Sequence, residues 1–221
     1  MPTQRNSLVS AVILAAGKSS RMGTAKQLLP LGSGTVLEQT LANVRASGLD
    51  EIVLVLGSSA DFIRQQLPRP VVEGLKVVTN ENYEQGMASS LRAGIAALNP
   101  DADAALIILA DQPFVRPETF NRIAEEYRRS HSHIVIPMHR GARGNPVLLD
   151  RAVFGDVMAL EGDIGCRAIF GNHLDEIAKV EIEDPGILLD IDNNDDYERL
   201  RDLDLSGQIA NAPTKQPTSP E

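Results

Sequence analysis

Apolar runs about the length of a strand alternate along this chain with stretches whose apolar residues recur every three or four positions. Leu8–Ala15 (LVSAVILA) is almost wholly apolar and ends near Gly17, which predicts a short buried strand. Val36, Leu37, Leu41 and Val44 keep a helical period, with Gly48 placed to cap the C-terminus. Ile52–Leu56 predicts a second strand, and Phe62–Leu67 lies in a short helix that Pro68 stops. Val77–Thr79 follows as a strand, Ser89–Leu98 as a helix, and Ala104–Ala110 as a strand closed by the turn Asp111-Gln112-Pro113. Thr119–Arg129 reads as a helix, Ile134–Ile136 as a strand and Tyr197–Leu203 as a last helix.

Strands that are apolar on both faces and alternate with helices predict a mostly parallel, Rossmann-like sheet covered on each side. With right-handed crossovers this is an α/β fold, a three-layer α/β/α sandwich. Ligands of such sheets bind outside the carboxyl ends of the strands. Attention therefore falls on residues 16–26, 57–59, 79–86 and 111–113. No internal repeat or interior linker interrupts the pattern, which predicts one domain over about residues 7–205. The polar Met1–Asn6 is expected to be flexible. The Pro-, Gln-, Thr- and Ser-containing stretch Ser206–Glu221 is expected to be a disordered tail.

The loop after the first strand is the most informative segment. Leu14-Ala15-Ala16-Gly17-Lys18-Ser19-Ser20-Arg21-Met22-Gly23-Thr24-Ala25-Lys26 puts two glycines, two serines and three cations together without an acid between them. Glycines let backbone N–H groups approach phosphate oxygens, Arg can chelate two of those oxygens, and Lys acts as a mobile point charge. A P-loop would need a glycine five positions before Gly17, where Val12 stands. A dinucleotide fingerprint would need glycine at position 15, which is Ala15.

The spacing L-A-A-G-x-S-x-R-M-G-x-x-K, followed by Leu28-Leu29-Pro30-Leu31, resembles the signature of the MobA-like nucleotidyltransferases, relatives of the nucleotide-diphospho-sugar transferases. The resemblance implies a loop, Leu14 to Ser20 with Arg21 and Lys26, that wraps a nucleoside triphosphate, Arg21 and Lys26 neutralising charge at the transferred phosphate. Asp111 in Leu109-Ala110-Asp111-Gln112-Pro113 stands where a strand ends, so its carboxylate faces the ligand crevice and suits Mg²⁺ shared with phosphates. The family's L-A-D-Q-P turn implies the same. Alternation along an extended segment after Ile187-Leu188-Leu189 places Asp190 and Asp192 on one side. Asp192 matches the second acid of the family's D-I-D-T-P-E-D-L and is the expected second metal ligand; Asn193-Asn194 here replaces Thr-Pro. The acidic run also reads as a solvated turn and helix cap. Gly86 and Ser90, in a G-M-x-x-S stretch, are implied against the nucleobase and ribose, although Ser89 or Ser90 can equally cap the helix. Gly141-Ala142-Arg143-Gly144-Asn145-Pro146 resembles the family's G-x-x-G-N-P segment, and Gly162-Asp163-Ile164-Gly165-Cys166-Arg167 its G-D-x-G-x-R turn. They make Arg143, Asn145, Gly162, Asp163 and Arg167 acceptor candidates, with a β-turn and a helix start as the alternatives.

Charge and composition narrow the partners. The chain has 221 residues, 21 Lys+Arg against 30 Asp+Glu and a net charge of −9, so a nucleic-acid partner is not expected. The lone Cys166 reads as a packed side chain rather than a nucleophile. No apolar run reaches the roughly 18 residues that span a bilayer, and no signal-peptide pattern opens the chain. A soluble, cytoplasmic protein without a membrane partner is expected. His131, His133, His139 and His173 form no i, i+4 pair and join no cysteine pair, so no zinc site is expected from spacing.

The reaction that follows is Mg²⁺-dependent nucleotidyl transfer to a phosphate acceptor. In the family, guanylyltransferases tend to carry Leu-Ala-Gly-Gly and cytidylyltransferases Leu-Ala-Ala-Gly. Ala16 therefore implies CTP as donor and molybdopterin-bound molybdenum cofactor as acceptor. A transient contact with a xanthine-dehydrogenase-like molybdoenzyme or its chaperone would follow. The alternatives are a guanylyl- or sugar-phosphate nucleotidyltransferase, a non-catalytic cofactor chaperone, and an oxidoreductase on a nucleotide-binding sheet.

Overall fold

The computed structural model describes residues 7–17, 25–68 and 74–205. Its centre is a sheet in the order β10-β7-β9-β6-β1-β4-β5, with β8 paired to β7. The strands are β1 (Val9–Ala15), β4 (Glu51–Leu56), β5 (Lys76–Thr79), β6 (Ala104–Leu109), β7 (Ile134–His139), β8 (Ala142–Arg143), β9 (Val147–Asp150) and β10 (Ile177–Glu181). Two-residue strands β2 (Pro30–Leu31) and β3 (Gly34–Thr35) form a separate small ribbon. β1 pairs in parallel with both β4 and β6, β4 with β5, and β10 with β7.

β9 is the departure from the expected pattern. It runs antiparallel to β6 and to β7, and Val147–Leu149 is buried. The hydrophobic pattern hid it because the G-x-x-G-N-P segment before it reads as a turn and the strand is short. β10, with two exposed side chains, also escaped it. The sheet is mixed but mostly parallel, flanked by helices on both faces, as the alternation of strands and helices required.

Helices α1 (Val36–Arg45), α2 (Ala60–Gln66) and α4 (Pro117–Ser130) cover one face; α3 (Met87–Ala96) and α5 (Phe154–Met158) cover the other. β1 shows why two layers are needed. Val9, Ala11, Ile13 and Ala15 pack with Leu37, Leu41 and Phe120, whereas Val12 points into the cluster of Leu91, Ile95 and Val157. Successive strand side chains leave on opposite faces, and here both faces are dry. The last helix, α6 (Asn194–Leu205), closes a third cluster in which Tyr197 and Leu200 meet Leu31, Val36 and Ile191. Its start is capped by Asn193, whose side-chain oxygen accepts from the Asp196 N–H at 2.9 Å. The Asn193 that replaces the family's Thr thus supplies an N-cap itself.

Four of the helices begin two or three residues before the expected start, where turns precede the first apolar residue, while α2 and α3 end one and two residues short of the expected end. Among the described residues no helix is long and apolar enough to cross a membrane. The segments expected to be flexible or disordered, 1–6 and 206–221, lie outside the described residues.

Candidate active site

The sheet presents its carboxyl ends to a cleft of about 670 Å³. Leu14, Ala16 and Gly17 line it from the end of β1, and Leu109, Ala110 and Asp111 from the end of β6. Lys26, Gly86, Ser90, Asp163 and Asp192 complete the part that the sequence foresaw. Because β1 and β6 are direct parallel neighbours, with Leu14 opposite Leu109, the loops that follow them open on the same spot. Lys18, Ser19, Ser20 and Arg21 lie outside the described residues.

Asp111 organises this end. Its Oδ2 receives the Lys26 ammonium at 2.5 Å, and Lys26 also donates to the Ile191 carbonyl at 3.1 Å. The Asp111 carbonyl in turn accepts from the Ile191 N–H at 3.0 Å. Lys26 and Asp111 together clasp the segment that carries Asp192 into the cleft. The other Asp111 oxygen, Oδ1, is buried and accepts no hydrogen bond from the described residues. A buried carboxylate oxygen without a donor costs about 1–3 kcal/mol or more. A divalent cation held by Asp111 and Asp192 would satisfy it, and hard oxygen ligands suit such an ion.

The surrounding bonds are not in the sequence motifs. Buried Gln27 donates to the Ala15 carbonyl at 3.1 Å, fixing the turn that begins with Lys26 against the end of β1. Thr40 of α1 donates to the Ala110 carbonyl at 3.3 Å. Asn43 reaches the carbonyls of Pro113 and Val115 at 2.9 and 3.0 Å. These side chains hold the Asp111 turn from beneath. Their helical spacing in α1 marked only the apolar face, and nothing local betrays the polar one.

The Ala15 side chain packs into the core on the face away from α3, and its carbonyl accepts from Gln27. Residues 185–188 form a 3₁₀ turn, and beyond it Leu189 and Ile191 both pack in the third cluster, which leaves Asp190 and Asp192 on the other side. Asp190 accepts from Gln112 at 3.2 Å, while Asp192 lines the cleft. Neither serine caps α3. Ser89 donates back to the Gly86 carbonyl at 2.8 Å, and the Met87 N–H is capped by the Asp163 carboxylate at 3.1 Å. Asn80, buried at the end of β5, donates to both Ser89 and Ser90 at 2.8 and 3.0 Å and fixes the cleft-facing Ser90.

Gly86 owes its identity to the protein's own backbone. At φ +95° it occupies a region that side chains avoid, and a Cβ there would stand 2.5 Å from the Gly162 carbonyl and the Asp163 nitrogen. The turn Gly162–Asp163 is thereby docked on the start of α3. Of the acceptor candidates, Asp163 lines the cleft. Arg143, Asn145 and Arg167 are not among its lining residues. The Asn145 N–H donates to the Ile187 carbonyl at 3.0 Å, which ties it to the segment leading to Asp192. The Arg143 guanidinium stacks 5.2 Å from the Phe170 ring centroid. Burial and the neighbouring Arg167 charge hold it below the usual arginine range. Cys166, between them, has its thiol pushed up to about 11 by burial.

A Rossmann-like sheet that offers carboxylates and a lysine at the carboxyl ends of neighbouring strands is the arrangement of an enzyme that handles nucleotide phosphates. Sequence comparison places the chain more narrowly. Residues 11–177 match the MobA-like NTP transferase domain, and the chain belongs to that family of nucleotidyltransferases. It is similar to a molybdenum cofactor cytidylyltransferase of Escherichia coli, 27% identical over 86% of this chain and 94% of that protein. It is also similar to a nicotine blue oxidoreductase of Paenarthrobacter nicotinovorans, 28% identical over 87% of this chain and 96% of that one. Among solved structures it resembles Rv0371c of Mycobacterium tuberculosis, 35% identical with a TM-score of 0.79 over 89% of this chain and 99% of that one. The same mycobacterial protein has also been solved in complex with manganese.

Proposed function

We propose that the protein transfers CMP from CTP to the terminal phosphate of molybdopterin-bound molybdenum cofactor and releases pyrophosphate. An acceptor phosphate oxygen forms a bond to the α-phosphorus, the bond from that phosphorus to the bridging oxygen of the β-phosphate breaks, and pyrophosphate leaves with the electron pair. The acceptor is already an anionic nucleophile, so the chemistry needs positioning and charge neutralisation rather than a general base.

The observation that carries this reading is the Lys26–Asp111 pair with an unpartnered buried oxygen on Asp111 and Asp192 alongside. Asp111 and Asp192 would hold Mg²⁺, which neutralises phosphate charge. Lys26, held beside that ion by the other Asp111 oxygen, would bring its ammonium to a phosphate oxygen. Arg21 adds a bidentate contact to the triphosphate, and Leu14, Ala16, Gly17, Lys18, Ser19 and Ser20 supply the loop around it. Gly86 and Ser90 bound the nucleoside side, and Asp163, with Gly162, Arg143, Asn145 and Arg167, the acceptor side.

The choice of CTP rests on Ala16. It lines the cleft, and it cannot retreat, because Gly57 packs so closely behind that a Cβ there would lie 2.5 Å from the Ala16 carbonyl. A methyl held in that position narrows the space for a purine, worth about 1–3 kcal/mol of discrimination. Support for the acceptor comes from the family and from the cytidylyltransferase relative.

The oxidoreductase relative makes a redox reading the competitor, although the first loop lacks a dinucleotide fingerprint. One experiment separates them. The purified protein is incubated with Mg²⁺, molybdenum cofactor and each of the four NTPs in turn, and pyrophosphate and dinucleotide are measured. Pyrophosphate and cytosine dinucleotide with CTP alone is the expected result. Product with another NTP would overturn the donor. No pyrophosphate with any NTP, beside turnover with NADH or NADPH and a dye, would overturn the transfer reaction itself.

A further inference from the structure

At the opposite end of the sheet from the cleft, the fold gathers two of the four histidines that sequence spacing kept apart. His133 immediately precedes β7 and Glu176 immediately precedes β10. These strands pair in parallel with Ile134 opposite Ile177, which sets His133 and Glu176 side by side. His173 stands three residues before Glu176. The Nδ1 atoms of His133 and His173 converge on one carboxylate oxygen, Glu176 Oε2, at 2.8 and 2.7 Å. The three atoms lie within 4.8 Å of one another.

Two details distinguish this group from an ordinary surface ion pair. His133 Nδ1 is a buried atom that completes no hydrogen bond, although Glu176 Oε2 is at contact distance. The remaining ring nitrogen of His173, Nε2, is held 2.6 Å from Asp156 Oδ2 of α5. A carboxylate on the outer nitrogen of a histidine fixes the ring and raises the basicity of the inner nitrogen, which is how proteins orient metal-binding imidazoles. The inner His173 nitrogen and His133 Nδ1 then face the same carboxylate oxygen.

We propose that His133, His173 and Glu176 bind one zinc-class divalent ion, with water in the fourth position and Asp156 positioning His173. Two imidazole nitrogens and one carboxylate oxygen select Zn²⁺ or Co²⁺ over Mg²⁺, whose preference is for oxygen. Bonds of about 2.0–2.1 Å in a tetrahedron put ligand atoms about 3.3 Å apart, so the two nitrogens need withdraw from Oε2 by only about 0.5 Å. The ion would bolt the residue 172–176 turn to the edge of the sheet. It lies at the amino ends of the strands, remote from Asp111 and Asp192.

Co²⁺ titration of the chelator-treated full chain in excess Mg²⁺, without nucleotide, tests this. One saturating equivalent with the visible absorption of a four-coordinate site, displaced by Zn²⁺, is expected. His173→Ala and Glu176→Gln should each abolish that absorption, Asp156→Asn should weaken binding about 10–100-fold, and Asp111→Asn should leave it unchanged. Proton resonances of the unsubstituted chain give an independent readout, in which Zn²⁺ shifts two of the four histidine rings. Absence of saturable Co²⁺ binding, an absorption that survives His133→Ala combined with His173→Ala, or shifts centred on His131 and His139 would overturn the proposal.

Discussion

The two walls of the cleft are built on different principles. One wall is made of residues at the carboxyl ends of strands: Leu14 and Ala16 at the end of β1, and Asp111 just past β6. Its geometry comes from the register of two adjacent parallel strands. The other wall is made of Gly86, Asp163 and Asp192, which belong to segments far apart in the chain. Those are joined by a cap, a backbone contact and a clasp: Asp163 on the Met87 N–H, Gly86 against Gly162, and Lys26 on the Ile191 carbonyl. On the proposed reaction the first wall would hold the reacting phosphates, and the second would close the cleft around the substrates and add the Asp192 carboxylate.

The sharpest way to break this contrast is to remove charge from the first wall. Lys26→Ala and Asp111→Asn should each lower kcat by about 10²–10³ at saturating CTP and Mg²⁺, the usual cost of losing one group that stabilises transferring charge. Thermal stability is expected to change much less, since both side chains sit at the rim of the cleft, 17% and 18% exposed. Steady-state pyrophosphate release, beside a melting curve for each variant, checks this. A loss below tenfold for both would move the chemistry elsewhere in the cleft.

How much of this could be read from the sequence follows the same division. The strand ends were legible, because an apolar run marks a strand and the next residue must face the crevice. Asp111 and the loop from Leu14 to Gly17 were found that way. The Asp192 segment was found by motif and by alternation, since Leu189 and Ile191 both turn into the third cluster and leave Asp190 and Asp192 on the other side. What alternation could not tell is which of the two serves the cleft: Gln112 donates to Asp190, and Asp192 is the one that lines it. Asp163 capping α3, Asn80 holding Ser90, and Gln27 holding the Ala15 carbonyl were illegible, since each joins residues whose neighbours in sequence give no signal. β9 was missed because three buried residues after a turn motif do not separate a strand from a loop. The histidine cluster was missed because spacing rules see ligands on one element, whereas these come from the entries to two paired strands.

The second wall is tested by a double-mutant cycle on its backbone contact. Gly86→Ala forces a side chain into a positive-φ position and into the Gly162–Asp163 backbone, a cost of about 1–3 kcal/mol. Asp163→Ala removes the cap of α3, worth about 1 kcal/mol. In a chain of this size each kcal/mol lowers Tm by about 2–4 °C. Displacing the turn already loses the cap, so the double variant should cost less than the sum by at least about 0.5 kcal/mol. Denaturant unfolding of the four proteins gives the coupling. Simple additivity would show that Gly86 and Asp163 act separately and that no shared contact builds this wall.

The smallest effect is expected just beyond that wall, at Cys166. Its neighbours Arg143 and Arg167 would favour a thiolate, yet burial outweighs them and pushes the thiol up to about 11. The deprotonated form, which is the reactive one, is thus disfavoured at neutral pH and gains tenfold with each pH unit until the pKa is approached. Alkylation of the folded chain should run about 100-fold slower than that of an unperturbed cysteine, two pH units of thiolate fraction, and should climb without a plateau from about pH 7 to pH 10. Cys166→Ala, in the same chain, should leave kcat within about twofold, because a packed sulfur contributes volume and no chemistry. A plateau near pH 8 together with a tenfold loss in kcat would instead make Cys166 a working thiolate between two arginines, and the acceptor side of the cleft would then need a covalent step that the present geometry does not require.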